Sequence, residues 1–429
     1  MGEFKLKLKG DKVIWLLVLF FALISILAVF SSSTYRANVA GVSKTTLFLE
    51  QIRFVLVGFA MMFFCYLVPL KWYRFLAFPI FGISVAALVM LFIPSCRVEI
   101  NGAVRGIKVF GVTVQVFEFA KLGLILYLSR AMEIWQDDLN TFKDFALKLL
   151  LPVIAVCVMV MANSFSSAIL FGLISFLMLF IMKVDLKYIG ISLAGIVAVL
   201  IFLFGIYNLF YANKEYGPDD KKGAVATFFN RFGTVQSRFT DFFSEMKEGE
   251  KDIDELTPQE RMKQIDEKRQ SENAKIAIKQ GGIIGKGPGK STQRYSLSMA
   301  FSDFIYAFII EEYGFVGGAL IILLYVIFMF RCIRIGTKCN TIFSSSLVLG
   351  IAFLITIQAF LHILVNVRLI PITGHTLPLI SHGGTAYLAF SMAFGMILSV
   401  SKQVDKQQEI AAATIQKEEN TDEQTTDNN

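Results

Sequence analysis

Long apolar runs, each about the length of a membrane-spanning helix, recur along most of the chain. The first, from Val13 to Val29, has no charged residue, and three serines follow it closely. An α-helix needs about 20 mostly apolar residues to cross the hydrocarbon core of a bilayer. On this basis the pattern predicts ten spans, over residues 13–31, 52–70, 73–94, 117–131, 146–162, 165–183, 187–211, 303–330, 343–367 and 383–400. The predicted fold is therefore an all-α polytopic membrane protein.

Two polar stretches break this pattern. Residues 212–302 predict a large loop between the seventh and eighth spans, where aromatic residues around Arg231 and Arg238 suit the lipid headgroups. Residues 403–429, rich in Gln, Thr, Asp, Glu and Asn, predict a disordered tail after one transmembrane domain over residues 1–402. Of the 429 residues, 55% are hydrophobic and 17% charged, with a mean hydropathy of +0.61. That composition excludes an ordinary soluble domain.

The basic residues between the spans predict which side each loop faces. With ten spans, most of them fall on one side, which is cytoplasmic by the positive-inside rule: Lys5, Lys7, Lys9, Lys12, Lys71, Arg74, Lys183, Lys187, Arg331, Arg334, Lys338, Lys402 and Lys406. Both termini are then cytoplasmic, and the 212–302 loop is extracytoplasmic. Arg97, Arg105, Lys108 and Arg368 remain on the outer side, where each either binds an anion or extends its charged end to the membrane surface.

The stretch GGIIGKGPGKSTQR, residues 281–294, is similar to a phosphate-binding loop. A nucleotide-binding P-loop has four residues between its first glycine and the final Gly-Lys-Ser, whereas Gly285 and Gly289 enclose three. The stretch follows no predicted strand and lies in the outer loop, so no nucleotide is expected. We expect Gly285, Gly287 and Gly289 to allow tight turns, although backbone amides there could bind a phosphate of another kind.

Three groups of polar residues lie in or beside the predicted spans, where ionisable residues are functional candidates. In the first group, Gln115, Glu118 and Lys121 are spaced by three at the start of the fourth span, so they share one helical face. Glu118 and Lys121 either form a structural ion pair or line a polar cavity near the outer leaflet. Arg105, in the loop just before, could bind an anion.

The second group contains three carboxylates of the eighth span. Asp303 opens this span at its outer edge, with Ser302 as a candidate helix cap. Helix geometry places Glu311 and Glu312 about 12 Å deeper and on other faces, so one face cannot present all three. Asp303 is the best placed to act as a general base on a hydroxyl, or else it only caps the helix. The two glutamates are expected to orient other helices or to line a deeper cavity.

The third group lies between the ninth and tenth spans, in PITGHTLPLISHGGT, residues 371–385. Irregular backbone of this kind cannot face lipid, so it lines protein or a water-filled cavity on the same outer side as Asp303. The candidate residues are Pro371, Thr373, Gly374, Pro378, Ser381, His382, Gly383 and Gly384.

In this order, the motifs resemble the SEDS family of ten-span peptidoglycan polymerases, which includes FtsW, RodA and SpoVE. The family's N-G-A-x-R and Q-P-S-E-x-x-K resemble NGAVR and QVFEFAK within residues 101–121. Its glycine run resembles residues 281–289, and its D-F-I-F-A…E-E-x-G resembles residues 303–314. Its P-x-T-G-x-x-L-P-x-x-S-x-G-G-S resembles residues 371–385, and the similarity covers roughly residues 10–400.

The chain departs from the family pattern at three places. Val116-Phe117 replaces Pro-Ser, and LSMAFS at residues 297–302 replaces L-P-E-A-H-T. Ser164 stands where many relatives carry the acid of Q-P-D-x-G-T-A. The resemblance allows a divalent cation, Mg²⁺ or Mn²⁺, as cofactor, but these changes remove acidic candidate ligands.

The resemblance implies polymerisation of lipid II at the outer leaflet of the bacterial inner membrane. Asp303 would deprotonate the 4-hydroxyl of the acceptor GlcNAc, which attacks the donor MurNAc with inversion and releases undecaprenyl pyrophosphate. The implied substrate-binding residues are Arg105, Gln115, Glu118, Lys121, Arg231, Arg238, Thr373, Ser381 and His382; the four basic ones could compensate the pyrophosphate. The implied protein partners are a class B penicillin-binding protein transpeptidase and other divisome proteins, and no nucleic acid is expected.

Two other classes of function remain open. A lipid II flippase would also need many spans, intramembrane charges and broken helices, but a carrier should place its site near the midplane. A non-catalytic scaffold for division proteins would tolerate loss of Asp303. Within the family, the long outer loop and the polar tail favour an FtsW-type septal role over a RodA-type role in elongation.

Overall fold

The structure is a computed structural model, and it describes residues 9–33, 41, 43–100, 103–109, 112–139, 141–181, 184–210, 258–295 and 300–426. The helices of this part are α1 Lys12–Ser32, α2 Lys44–Leu67, α3 Leu70–Met90, α4 Val116–Trp135, α5 Phe142–Met161, α6 Phe165–Ile181, α7 Leu186–Phe210, α8 Pro258–Gly281, α9 Ile305–Thr337, α10 Ile342–Asn366 and α11 Thr385–Thr426. Each of the ten predicted spans overlaps one helix, and α8 belongs to the predicted outer loop. Helix α5 contains a π-helical turn, Ala146–Leu150.

Seven helices within the described residues are long and apolar enough to cross a membrane: α1, α2, α3, α5, α9, α10 and α11. Helix α6 has 17 residues, and the apolar part of α7 is Leu186–Ala198. Helix α4 is not among the seven, and it contains four charged residues: Glu118, Lys121, Arg130 and Glu133. The chain is therefore a multi-pass membrane protein, while the number of ten spans and the side that each loop faces stay predictions.

A small antiparallel sheet precedes α4, and the sequence analysis missed it. Its strands are β1 Arg97–Ile100, β2 Ala103–Val109 and β3 Val112–Gln115, paired in the order β1-β2-β3. Ile100 is opposite Ala103, and the dipeptide between them in the sequence is Asn-Gly, which favours two-residue hairpin connections. That dipeptide was the available signal. Because β3 leads directly into α4, the sheet fixes the start of that helix.

Helices α10 and α11 lie in the interior of the bundle. In the most apolar stretch of each helix, 61% of the residues of α10 and 83% of those of α11 are buried, against 22% for α3. Burial on most sides explains why their sequences are apolar with small polar residues interspersed, because neighbouring helices surround them. The segments at the two ends of α10 and α11 are therefore attached to well-buried helices.

An ion pair and hydrogen bonds connect the helix ends that the basic residues predict to be cytoplasmic. Asp11 caps α1 and forms an ion pair with Arg331 of α9. The backbone N–H groups of Gly10 and Asp11 donate to Asp405 and Ser401 of α11 at 3.0 and 2.8 Å. Helix α11 continues to Thr426, so residues 403–426 are helical where the sequence predicted disorder. This segment contains no Pro or Gly and is rich in the good helix formers Gln, Glu, Lys and Ala.

Candidate active site

Asp303 lies in a turn of residues 300–304, called here the Asp303 turn, which immediately precedes α9. Three consecutive backbone carbonyls of the turn accept hydrogen bonds from other segments. Phe301 O accepts from His382 N at 2.9 Å, Ser302 O from Ser381 Oγ at 2.7 Å, and Asp303 O from Asn366 Nδ2 at 3.0 Å. Asp303 is 8% exposed. The backbone that carries its carboxylate is therefore fixed from two sides.

Ser302 is not the N-cap residue of α9. Helix α9 begins at Ile305, its N-cap residue is Phe304, and no side-chain cap bond is made by that residue. Ser302 is buried and its carbonyl is the acceptor for Ser381. The first turn of α9 instead receives an acceptor from α10, because Asn366 Oδ1 accepts from Ala307 N at 2.9 Å.

The 371–385 segment is irregular and packs against the Asp303 turn. Gly374 and Leu379 have positive φ angles of 67° and 59°, so the backbone turns sharply at both. Ser381 Oγ accepts from Leu377 N at 2.9 Å, and Tyr325 of α9 donates to Pro378 O at 2.5 Å. The sequence predicted that this segment lines protein or a cavity near Asp303, and the structure brings the two together.

His382 is held by a chain of hydrogen bonds that reaches α1. Its Nδ1 lies 2.6 Å from Gln51 Oε1, Gln51 Nε2 donates to Ser25 Oγ at 2.8 Å, and Ser25 Oγ donates to Ile380 O at 2.8 Å. Because a carbonyl can only accept, this direction of donation requires the hydrogen of a neutral His382 to be on Nδ1. His382 Nε2 then faces Glu50 Oε1 at 3.9 Å. Gln51 was not among the predicted site residues, although it is an amide directly before the predicted second span.

Gly314 reverses the chain within α9. Its φ and ψ angles are 70° and −171°, which are not helical. A Cβ atom built on Gly318 would lie 3.0 Å from the Tyr306 hydroxyl and 2.9 Å from Ile310 Cγ1. In an unbroken helix, residues 306 and 318 would be about 18 Å apart. The segment 305–313 therefore folds back beside the rest of α9.

This reversal changes the order of depth of the carboxylates. Glu312 accepts from Ser31, near the end of α1 that the basic residues predict to be outer, at 2.5 Å. The Asp303 turn contacts His382, whose hydrogen-bond chain reaches α1 at Ser25. Ser25 lies about 9 Å deeper than Ser31 along α1. The expectation that the glutamates lie deeper than Asp303 is thus corrected: measured from the predicted outer end of α1, Asp303 is deeper, because the chain folds back at Gly314.

The Glu118–Lys121 pair lines the side of α4 that faces α10. Lys121 Nζ lies 2.7 Å from Glu118 Oε2 and donates a hydrogen bond to Gln358 Oε1 at 2.5 Å. The side chains of Lys121 and Glu118 are 2% and 9% exposed. Gln358 in turn donates to Thr376 O at 3.1 Å. The pair is buried and is linked to the 371–385 segment through an amide that the sequence analysis did not select.

Gln115 joins the small sheet to the start of α11. Its backbone N–H donates to Thr385 Oγ1 at 2.9 Å, and its side-chain Nε2 donates to Gly383 O at 3.2 Å. Gln115 therefore supports the end of the 371–385 segment. Gly384, which follows Gly383 in the chain, has a φ angle of 51°.

The glycine loop, residues 281–294, binds a carboxylate of its own chain. Glu311 is fully buried and accepts from Thr292 N at 2.9 Å, from Thr292 Oγ1 at 2.9 Å and from Ser291 Oγ. Lys286 Nζ lies 2.7 Å from the same carboxylate. Gly289 N donates to Glu312 at 2.9 Å. The backbone amides that the sequence suggested for a phosphate are therefore directed at Glu311 and Glu312.

The glycines permit this close approach of loop and helix. Gly285, Gly287 and Gly289 have φ angles of 87°, 97° and 71°. A Cβ atom on Gly285 would lie 2.3 Å from the carbonyl oxygen of Glu312, so no other residue fits there. The predicted role of these glycines in tight turns is confirmed by their positive φ angles.

Comparison of the whole chain with known families settles its membership. The profile of the cell cycle protein family of FtsW, RodA and SpoVE matches residues 11–406. The chain belongs to this family.

Curated members of the family are similar over nearly the whole chain. The probable peptidoglycan glycosyltransferase FtsW of Enterococcus hirae is 27% identical over 410 residues, covering 93% of this chain and 94% of the relative. The stage V sporulation protein E of Bacillus subtilis is 27% identical over 398 residues, covering 92% and 98%.

Solved structures share the fold. A chain from a peptidoglycan synthase complex that coordinates polymerization and crosslinking aligns with a TM-score of 0.65 at 18% identity, covering 92% of this chain and 98% of that one. The rod shape determining protein RodA of Thermus thermophilus aligns with a TM-score of 0.60 at 19% identity, covering 92% and 98%. The expected SEDS fold is confirmed.

Some predicted site residues of this family member lie outside the described part. Arg231 and Arg238 are not described, and for Arg105 only the backbone, within β2, is described. Thr373 lies in the 371–385 segment and is partly buried. The described residues therefore unite Asp303 with Ser381 and His382, and connect these to Gln115 and Lys121 only through intermediate residues.

The described residues do not build a metal site. Nowhere in the described ranges do three or more His, Cys, Asp or Glu side chains form a group that could hold a metal ion. Mg²⁺ and Mn²⁺ are bound mainly by carboxylates. Ser164, which stands where the resemblance leads one to expect an acid, is bonded to Ser167 at 2.9 Å between the two hydroxyl oxygens.

Proposed function

We propose that this family member is a peptidoglycan glycosyltransferase that polymerises lipid II at the outer leaflet, with Asp303 as the general base. The names of the curated relatives support the reaction class. The assignment of the base rests on the Asp303 turn, in which three consecutive backbone carbonyls accept hydrogen bonds from other segments. Effective general base catalysis requires a carboxylate held in a fixed place.

In the proposed reaction, Asp303 accepts the proton of the 4-hydroxyl of the acceptor GlcNAc. The resulting oxygen forms a bond with the anomeric carbon of the donor MurNAc, and the bond from that carbon to the pyrophosphate oxygen breaks. The configuration inverts, and undecaprenyl pyrophosphate leaves with the bonding electron pair. Because Asp303 is 8% exposed, little water competes with the acceptor hydroxyl for the base.

The leaving pyrophosphate needs positive charge. Lys121 is already paired with Glu118 and hydrogen-bonded to Gln358, so we assign it to the wall of the site. We assign the compensation to Arg105, Arg231 and Arg238, which the sequence places on the outer side. Ser381 and His382 border the acceptor, because they contact the Asp303 turn.

We further propose a septal role in the bacterial inner membrane, with both termini in the cytoplasm. A class B penicillin-binding protein is the proposed partner, supported by the similarity to a chain of a complex that couples polymerization with crosslinking. Other divisome proteins are expected to bind as well. Depletion in the source bacterium distinguishes the roles: filaments indicate septal synthesis, whereas rounded cells indicate elongation and contradict our assignment.

The central test is polymerisation by the purified full-length protein with labelled lipid II. The wild type should produce glycan ladders on a gel, and Asp303→Asn, which keeps the shape of the side chain, should lower the rate by about 10²–10⁴-fold. Asp405→Asn is the control, because Asp405 is a carboxylate that accepts from Gly10 N at 3.0 Å, at the other end of the bundle from the Asp303 turn. Normal ladders from Asp303→Asn would show that another group is the base.

A flippase is the second candidate, because Asp303 is deeper than the outer end of α1. A carrier must bring the headgroup into the membrane, and a deep carboxylate suits such a path. The same preparation, reconstituted into vesicles, separates the two functions. Translocation of the lipid II headgroup without ladders would support the flippase and exclude the polymerase.

A further inference from the structure

Asn366, the last residue of α10, connects three parts of the candidate active site. It is fully buried, and both N–H groups of its carboxamide are used. Nδ2 donates to Asp303 O at 3.0 Å and to His362 O at 2.8 Å. Oδ1 accepts from Ala307 N at 2.9 Å.

These contacts hold the backbone on both sides of the start of α9. The first backbone N–H groups of a helix have no partner within the helix and normally require a cap. Phe304 provides no side-chain cap, and the N–H of Ala307 is satisfied by Asn366 instead. The same carboxamide holds the carbonyl of Asp303, four residues earlier. One side chain from another helix thus fixes both the direction of the helix start and the turn before it.

Helix α10 is a suitable support for such a contact. It lies in the interior of the bundle, and 61% of the residues in its most apolar stretch are buried. The bond from Asn366 Nδ2 to His362 O fixes the carboxamide against its own helix. The side chain therefore has one orientation, and the Asp303 turn has to fit it.

We propose that Asn366 is a positioning residue that sets the place of the Asp303 carboxylate relative to the acceptor hydroxyl. This rests on the proposed function, in which Asp303 is the general base. Asn366 does not touch substrate in this role; it acts through the backbone of Asp303. A displacement of about 1 Å at a reacting group can lower the rate about 100-fold.

The test compares kcat and KM for lipid II in the purified full-length protein. Asn366→Ala removes all three hydrogen bonds and should lower kcat about 100-fold while KM stays within about threefold. Asn366→Asp keeps the shape and the acceptor for Ala307 but loses the two donors, so kcat should fall as well. Tyr73→Phe is the matched control: it removes a buried side-chain bond to the carbonyl of Cys65, made at 2.7 Å near the cytoplasmic end, and should leave kcat unchanged.

The outcomes separate the two proposals. If Asp303→Asn polymerises normally, the general base is wrong and the role of Asn366 fails with it. If Asp303→Asn is inactive but folded Asn366→Ala has a normal kcat, or only a raised KM, the positioning role alone is wrong. If neither Asn366 variant is folded, by thermal unfolding and gel filtration, Asn366 is a structural residue and the proposal is overturned.

Discussion

The bond between Glu311 and the glycine loop can be tested by removing the carboxylate. Glu311→Ala deprives Thr292, Ser291 and Lys286 of their common acceptor. Ser291 is 2% exposed, so its hydroxyl gains little from water, whereas Lys286 is partly exposed and can be hydrated. We therefore expect the loop to lose its attachment while the rest of the bundle stays folded.

The magnitude follows from the donors that are left. A buried donor without an acceptor costs about 1–3 kcal/mol, and breaking a buried ion pair costs about 3–5 kcal/mol. Because Lys286 and Thr292 can reach water, we take the low end, about 3 kcal/mol, as the change in the free energy of opening the loop. Since about 1.4 kcal/mol corresponds to a factor of ten, the open fraction should rise about 100-fold.

Limited digestion with trypsin measures that fraction. The loop contains cleavage sites after Lys286, Lys290 and Arg294. When opening is fast compared with cleavage, the cleavage rate follows the open population. Cleavage after Lys290 should therefore be about 100-fold faster in Glu311→Ala, as measured by mass spectrometry of the fragments.

Two controls make the result specific to the loop. Cleavage after Lys338, at the other end of α9, should keep its wild-type rate if only the loop opens. Glu409→Gln, in the exposed pair with Lys9, should change nothing. Loop cleavage within threefold of wild type in Glu311→Ala would refute the attachment, and an equal rise at both sites would indicate global unfolding instead.

Two further substitutions test other parts of the site. Lys121→Met leaves Glu118 buried without its partner and should lower the unfolding free energy by about 3–5 kcal/mol. The double variant that also carries Glu118→Gln should be less destabilised. Equal losses of stability in thermal melts of the single and the double variant would contradict the ion pair. In Gly314→Ala, the alanine has to adopt a positive φ angle, and its Cβ atom would lie 2.2 Å from the carbonyl oxygen of Ile283. The yield of folded protein should therefore fall strongly. A normal yield and melting temperature would argue against the chain reversal.

The apolar pattern alone determined the membrane class and the places of the helices. Each predicted span overlaps a helix because a backbone in lipid must satisfy its own hydrogen bonds, which leaves a helix as the only solution for a long apolar run. The irregular 371–385 segment was also predictable, because its prolines and glycines cannot continue a helix. The motif resemblance predicted the family that the profile match confirms.

The tertiary structure alone decided how the polar residues meet. The sequence gives the spacing of Asp303 and Glu312, but their order of depth depends on the direction of the chain after Gly314, which one pair of dihedral angles determines. Similarly, the loop that resembles a phosphate site binds Glu311, because folding back brings this carboxylate to the amides.

The same reason explains the partners that the sequence analysis missed. Asn366, Gln51 and Gln358 looked like isolated amides in apolar helices. Each is buried and bonded to residues distant in the sequence, such as Asp303 and His382. Local periodicity predicts which face of a helix is polar, but the pairing of buried amides depends on how the helices pack, and that information is not local in the sequence.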